Sequence, residues 1–319
     1  MKKVSIIIPF KGQTEKNLSV VLGSVNGQIG IDFSEIDVHL VNDGGPTIDI
    51  SKFDIFSNLD LHYHHLEENV GAGLARQYGI DHSESKYLMF MDSDDEFHFA
   101  GALLEFFNAV KGTGDHQIVI ARYIEQYIVE SGEFRYLIHT QYDWKSVYAK
   151  WFNRQYVEEQ GIRFQPELRI FEDTYFVGLS CQLSTDIYYI DSVVYSWLYN
   201  ANSLVRSNGK SFEYQTHTWA LQNRLYFKKT FEKRPDTLAM HMKSYVADVY
   251  MRYTRYPPAD EAAFWDEHFK LLEEFSSFWT GYDAFLQGMV DSLRDKEGQW
   301  QGTPTDKFQA FVEKTREKI

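Results

Sequence analysis

The sequence predicts an α/β fold, a mostly parallel sheet followed by a helical C-terminal region. Three observations carry this. Short apolar runs alternate with helix-period segments over roughly the first 100 residues, the pattern of parallel strands joined by crossover helices. The first run, Val4-Ser-Ile-Ile-Ile8, is β-branched and lacks apolar/polar alternation, as expected of a strand covered on both faces. From residue 211 the periodicity becomes helical, with breaks at Pro257-Pro258, Gly281, Gly298 and Gly302-Thr-Pro304. The expected division is a sheet domain over 1–210 and a helical domain over 211–319.

Each element has its own local reason. The first strand stops at Pro9. Leu18, Val21, Leu22 and Val25 then recur at i, i+3, i+4 and i+7, with Thr14 placed to cap a helix. A second strand, Ile36 to Val41, ends on Asn42-Asp43-Gly44-Gly45. A third, Leu59 to His64, leads to Asn69-Val-Gly-Ala-Gly73 and a helix expected to turn Leu74 and Tyr78 inward. The fourth, beginning near Tyr87, ends on Asp92-Ser-Asp94. Leu103, Leu104, Phe107 and Val110 mark a further helix, and Gln117 to Tyr123 a strand. Glu130-Ser-Gly-Glu133 between two apolar runs reads as a hairpin. Residues 146–160 are expected to be helical, Asp173 to open a helix with Phe176, Leu179 and Leu183 on one face, and Ile187 to Tyr195 to be extended. In the helical region the expected apolar stripes are Leu238, Met242, Tyr245 and Val249, then Trp265, Phe269, Leu272 and Trp279, then Phe285, Met289 and Leu293, then Phe308, Phe311 and Val312.

Composition narrows the function. The net charge is −14, whereas proteins that neutralise nucleic-acid phosphates or adhere to anionic lipid are normally basic. Nucleic acid is therefore an unlikely partner in this reading. The one cysteine, Cys181, cannot form an internal disulfide and lies in an apolar run, which fits a buried thiol in a reducing compartment. No apolar stretch approaches the length of a membrane span, and the N-terminal run is too short for a signal peptide. The expected location is cytoplasmic, peripheral to a membrane only through an acceptor.

The chemistry-bearing residues sit where strands end. In parallel sheets ligands bind beyond the carboxyl ends of the strands. Pro9-Phe10-Lys11, Asp43 and Asp92-Ser93-Asp94 each follow a strand directly, so they should converge on one edge. Strand alternation would send Asp92 and Asp94 to the same side, where two hard oxygen donors suit Mg2+ or Mn2+ beside a diphosphate.

In combination these segments resemble the glycosyltransferase family-two enzymes, inverting enzymes of the GT-A fold. The likeness runs from residue 3 to about 206. It rests on six ordered matches: the Val4-Ser-Ile-Ile-Ile-Pro9 strand, Val41-Asn-Asp-Gly-Gly45, Glu68-Asn-Val-Gly-Ala-Gly-Leu-Ala-Arg-Gln-Tyr-Gly-Ile80, Phe90-Met-Asp-Ser-Asp-Asp95, Lys150 to Phe164, and Phe171-Glu-Asp-Thr-Tyr-Phe176. The resemblance implies a UDP-sugar donor and a Mn2+ or Mg2+ ion. The implied donor site comprises Pro9, Phe10, Asp43, Asn69, Gly71, Arg76, Asp92, Ser93 and Glu172. Within it Asp43 contacts the base, and Arg76 a phosphate. Asp94, with Asp92, holds the metal, and Asp173 is the general base. His139 and His217 are the histidines considered for a third metal ligand, and neither aligns with a family motif. Lys11 and Asn200 depart from the family pattern, as does the displaced Arg206.

The acceptor implied is a glycan, glycolipid or glycoprotein. The helical region is expected to bind that acceptor or to pair two copies of the chain. Two other readings stand beside this one. A nucleotidyltransferase would normally show a Gly-rich basic loop after the first strand, which Pro9-Phe-Lys-Gly-Gln-Thr14 is not. A non-catalytic glycan-binding or scaffold subunit would not be expected to retain Asp43, Asp94 and Asp173.

Overall fold

The computed structural model describes residues 1–201, 203 and 211–316. The chain divides into two compact units, Met1–Asn200 and Ala201–Ile319.

The first unit is built on one nine-stranded sheet. Its strands are β1 (Lys2–Phe10), β2 (Ile36–Asn42), β3 (Leu61–His65), β4 (Ser85–Phe90), β5 (Glu96–Phe97), β6 (Ile118–Ile128), β7 (Phe134–His139), β8 (Lys150–Asn153) and β9 (Ile187–Trp197). The order is β3-β2-β1-β4-β8-β6-β9-β5, with β7 hairpinned onto β6. Parallel pairing holds across β3, β2, β1 and β4 and again between β6 and β9. The pairs β4–β8, β6–β8, β6–β7 and β5–β9 are antiparallel. The expected parallel sheet is thus the N-terminal half of a mixed one.

The predicted elements recur with some shifts. Helix α1 (Glu15–Asn26) buries Leu18, Val21, Leu22 and Val25, and Thr14 caps it with a capping box. Helix α2 (Ala72–Asp81) turns Gly73, Ala75, Arg76, Gln77, Gly79 and Ile80 inward; Leu74 and Tyr78 are only half-buried. The expected face is wrong because small residues and one charged side chain pack against the sheet here. Gly79 shows why: an added Cβ would approach Ile7 to 2.5 Å. Helix α3 (Ala102–Thr113) buries Ala102, Leu103, Phe106, Ala109 and Val110.

The predicted helix over 146–160 is a short strand followed by a helix shorter than expected. Lys150–Asn153 forms β8, whose Trp151 and Phe152 are β-formers that fill the slot between β4 and β6. Helix α4 (Arg154–Gln160) begins only after Asn153, whose side chain accepts from the Tyr156 N–H at 3.1 Å. Helix α5 (Glu172–Leu183) buries Phe176, Leu179 and Leu183 as expected. Cys181 is buried, and that burial pushes its thiol up to about 12.

The second unit is helical: α6 (Thr216–Lys233), α7 (Leu238–Arg255), α8 (Glu261–Glu274), α9 (Ala284–Asp295) and α10 (Phe308–Arg316). Its core contains the α7 stripe Leu238, Met242, Tyr245 and Val249, and Phe308, Phe311 and Val312 of α10. In α9 the stripe is off by one residue. Leu286 and Val290 are buried, whereas Phe285 is 56% exposed. In α8, Phe264, His268, Leu271 and Leu272 take the inner face, and Trp265 packs at its margin. Among the described residues, no helix is long and apolar enough to cross a membrane.

Candidate active site

The register of the parallel strands aligns the residues that end them. Phe10 pairs with Asn42 and Asn42 with His65, while Ile7 pairs with Phe90. Asp43 and the Asp92–Asp95 turn therefore leave the sheet on the same edge. The order β3-β2-β1-β4 reverses direction at β1, so this edge is a topological switch point.

Asp43 holds the neighbouring loop. It is 5% exposed, and its two oxygens accept from the Val70 N–H at 2.6 Å and the Gly71 N–H at 3.0 Å. The loop lies so close that a Cβ on Gly44, at φ +66°, would collide with the backbone of Glu68 and Asn69. Asn42, silent in the sequence reading, fixes this turn. Its Oδ1 accepts from the Gly45 N–H at 2.8 Å and its Nδ2 donates to the Pro46 carbonyl at 2.9 Å. Pro9 and Phe10 are buried strand residues, with Phe10 3% exposed. Asn69 is held by Arg169, whose Nη1 donates to Asn69 Oδ1 at 3.0 Å. Arg169 carried no motif signal; it is an exposed cation beside Gly71 and the start of α2.

Asp92 and Asp94 do not alternate along a strand. β4 ends at Phe90, and the chain then turns, with the Asp95 N–H donating to the Asp92 carbonyl at 3.2 Å. What aims the acids is this turn and its anchors. The Asp92 N–H donates to the Tyr195 hydroxyl at 3.0 Å, and that hydroxyl donates to Asp95 Oδ2 at 2.7 Å. The Leu198 N–H donates to Asp95 Oδ1 at 2.8 Å, and Asn200 Nδ2 to Asp94 Oδ2 at 2.6 Å. Asp95 is fully buried; burial, then the charges of Asp92 and Asp94, push its carboxyl well above the usual range. Ser93 is buried within the turn.

Arg76 ties this turn to the start of α5. It is 5% exposed; Nη2 donates to Asp92 Oδ1 at 2.7 Å and Nη1 to Glu172 Oε1 at 3.0 Å. Burial alone would lower the Arg76 guanidinium, but Asp92, Glu172 and Asp173 outweigh it and raise it. Gly73 permits the approach of the two helices, since a Cβ there would come within 2.7 Å of Glu172 Cγ. Glu172 is pushed up to about 7 by burial and by the Asp173 charge, against the pull of Arg76. Asp173 is also raised, first by burial. Its Oδ1 accepts from the Thr174 N–H at 2.6 Å. Phe171, which precedes them, has φ +60°, a left-handed conformation costing a non-glycine residue on the order of 1–3 kcal/mol. Held strain of this kind is typical of sites where side-chain aim matters more than local stability.

Asp92 and Asp94 are partly exposed carboxylates on the turn that carries buried Asp95, and carboxylate oxygens are the donor type a hard divalent cation takes. His139 is engaged elsewhere, its Nε2 2.9 Å from Glu125 Oε2, and His217 lies in α6 of the second unit. Residues 202 and 204–210, including Arg206, lie outside the described residues.

Comparison with known proteins follows the same lines. The sequence model of the family described as glycosyl transferase family 2 matches residues 5–178. A poly(ribitol-phosphate) β-N-acetylglucosaminyltransferase, TarP of Staphylococcus aureus, is 27% identical over 190 residues, 55% of this chain and 56% of that enzyme. An uncharacterised glycosyltransferase of Rickettsia bellii is 35% identical over 97 residues, 30% of this chain and 13% of that protein. The chain thus spans little more than half of the one relative and a small part of the other. The crystal structure of S. aureus TarS 1–349 in complex with UDP-GlcNAc has a TM-score of 0.68 at 16% identity, covering 99% of this chain and 88% of that one. A Pyrobaculum calidifontis mannosyltransferase in complex with GDP-Man and Mn2+ gives 0.51 at 15% identity, covering 99% and 86%. These two structures share the fold.

Proposed function

Because the chain belongs to glycosyl transferase family 2, we propose that it is an inverting glycosyltransferase moving a hexose or N-acetylhexosamine from a UDP-sugar to an acceptor hydroxyl. The observation that carries the reading is the Arg76 junction. One buried cation joins the turn after β4 to the first residues of α5, so donor-side and acceptor-side acids meet at one sheet edge. The UDP-GlcNAc bound by TarS and the activity in the name of TarP support a UDP-N-acetylhexosamine as the first donor to try.

In this reading Asp173 takes the proton from the acceptor hydroxyl as that oxygen attacks the anomeric carbon. A carboxyl raised by burial is a better base than a solvated one, because its proton affinity lies closer to working pH. Glu172, bonded to Arg76, orients its neighbour and the acceptor. Asp43 accepts from the base while holding the loop at Val70 and Gly71; a carboxylate has lone pairs for all three. Arg76 is buried between Asp92 and Glu172, so its first role is to hold those acids, and any phosphate contact is secondary. Asp92 and Asp94 would hold Mn2+ or Mg2+, which offsets the charge gathering on a leaving diphosphate. The acceptor is a hydroxyl of a glycan, glycolipid or glycoprotein, and the helical unit binds it or pairs two copies of the chain.

The test is a panel of nucleotide sugars, each assayed for binding and for Mn2+-dependent turnover. UDP binding, and turnover lost in Asp94→Ala, is the expected result. A pure protein that neither binds UDP nor consumes any UDP-sugar would sink the reading.

A further inference from the structure

A second polar cluster lies on the sheet well before that edge. Asp37 and His39 are two apart on β2 and share a face, and the register sets His39 beside His62 on β3. One potential ligand atom each from Asp37, His39 and His62 lies within 4.8 Å of the others. Asp37 and His39 are 6% and 2% exposed. Asp37 Oδ1 and His39 Nε2 stand 3.6 Å apart, too far for a hydrogen bond, and neither has a hydrogen-bond partner. Buried polar atoms are nearly always satisfied, and this pair, with the equally unpartnered Ser5 beside Asp37 on β1, has donor capacity to spare.

The other side of His39 bears on its tautomer. Its Nδ1 lies 3.0 Å from His64 Nε2. With the shared proton on His39 Nδ1, Nε2 keeps its lone pair. In that tautomer two lone-pair donors face each other at 3.6 Å, a pair that a cation can bridge. Histidines that bind metals commonly donate their second ring N–H to an outer acceptor, usually a carboxylate, carbonyl or water; here the acceptor would be His64 Nε2.

We propose that Asp37, His39 and His62 form a binding site for a first-row divalent cation, best suited to Zn2+ and separate from the Asp92–Asp94 turn. Two imidazoles and a carboxylate, with water as fourth donor, match zinc's preferences. At bond lengths of ~2.0–2.1 Å, donors on a tetrahedron stand about 3.4 Å apart, close to the separation of Asp37 and His39. His62 is the entry side, its side chain 46% exposed. Its ring lies parallel to that of His39 at 4.9 Å, so it must turn about χ2 and leave Asp60 Oδ1 at 3.2 Å to join the site. His39 precedes Asp43 by four residues, about 13 Å of strand. An ion here clamps edge strand β3 to β2 and takes no part in the transfer.

The experiment uses the full, metal-stripped chain carrying Asp92→Asn and Asp94→Asn, titrated with Zn2+ by calorimetry and thermal shift. One equivalent should bind and raise the melting temperature. Adding His62→Ala should weaken binding by about 100-fold or more and abolish the rise, because even lost second-layer contacts cost 10–100-fold. His62 is exposed, so the metal-free melting temperature should not move. Adding His65→Ala instead should leave zinc affinity intact. Wild type and His62→Ala should likewise differ by one bound equivalent. No zinc bound, binding unchanged by His62→Ala, or equal loss in His65→Ala would each overturn the site.

Discussion

The carboxyl edge of the sheet and the core of the helical unit each bury an arginine and surround it with different materials. At the edge, one guanidinium holds Asp92 and Glu172, and Asp95, Glu172 and Asp173 all have raised carboxyls. In the helical core, Phe264, Leu272, Leu286 and Phe308 pack together, and the buried Arg252 lies over the Trp219 and Trp300 rings at 4.6 and 5.7 Å. Its buried histidine, His268, is pushed down to about 3 by burial, stacks on Phe264 and lies 2.8 Å from the Tyr245 hydroxyl. Both regions bury a guanidinium, but the edge balances it against carboxylates at hydrogen-bond distance, whereas the helical core lays it over indole rings. Such balance costs stability and is retained where charge has work to do.

The largest separation of the two regions should come from Asp173→Asn. Loss of the proposed base should cut transfer by ~10²–10⁴-fold. UDP affinity and thermal stability should hold, as followed by UDP release, calorimetry and melting. Activity that survives would move the base elsewhere. Next, Arg76→Met strands three acids around a neutral side chain. It should cost about 3–5 kcal/mol in urea unfolding, the scale for breaking a buried pair. A neutral result would show that the acids are balanced by another group. In the helical unit, Leu286→Ala should cost ~2–5 kcal/mol with UDP affinity retained at 25 °C.

A pH series sharpens the contrast further. Glu172 and Asp173 have folded-state carboxyls above their unfolded values, so their stabilising protons are fully held below the unfolded values. That contribution is lost as pH rises through about 7 for Glu172. The melting temperature should therefore decline between about pH 5 and 8, and Glu172→Gln should flatten the decline. Turnover should climb as Asp173 deprotonates, with an acid limb above the ordinary carboxylate range. The smallest effect is expected at Phe285→Ser. The side chain is 56% exposed, and the change should stay within ~0.5 kcal/mol. A large loss would mean that this face of α9 is covered.

Much of this was legible because strand ends are punctuated. Pro9, Asn42-Asp43-Gly44-Gly45 and Asp92 each stop an apolar run, and the register brings the last two sets to one edge. What stayed hidden lacks a local signal. Lys150–Asn153 is a strand because β4 and β6 leave a slot, a fact set by residues 60 positions and more away in some cases. Arg76 reads as a phosphate contact, and its bonds to Asp92 and Glu172 emerge only when those acids are placed around it. Asp95 and Tyr195 reveal themselves only as a pair, and Arg169 only beside Asn69. In α9 Phe285 and Leu286 are both apolar, so periodicity alone does not say that Leu286 is the buried one.

The late arrival of β8 has a consequence for synthesis. β4 is complete at Phe90, yet the strand that covers its open side ends at Asn153. At ribosomal rates of ~5–20 residues per second, some 60 intervening residues take on the order of 3–12 s to emerge. Through that interval the backbone of Tyr87 to Phe90 offers unpaired hydrogen-bonding groups flanked by large apolar side chains. Nascent chains stalled between these two points are therefore the ones expected to recruit a holdase or to clump on polysomes.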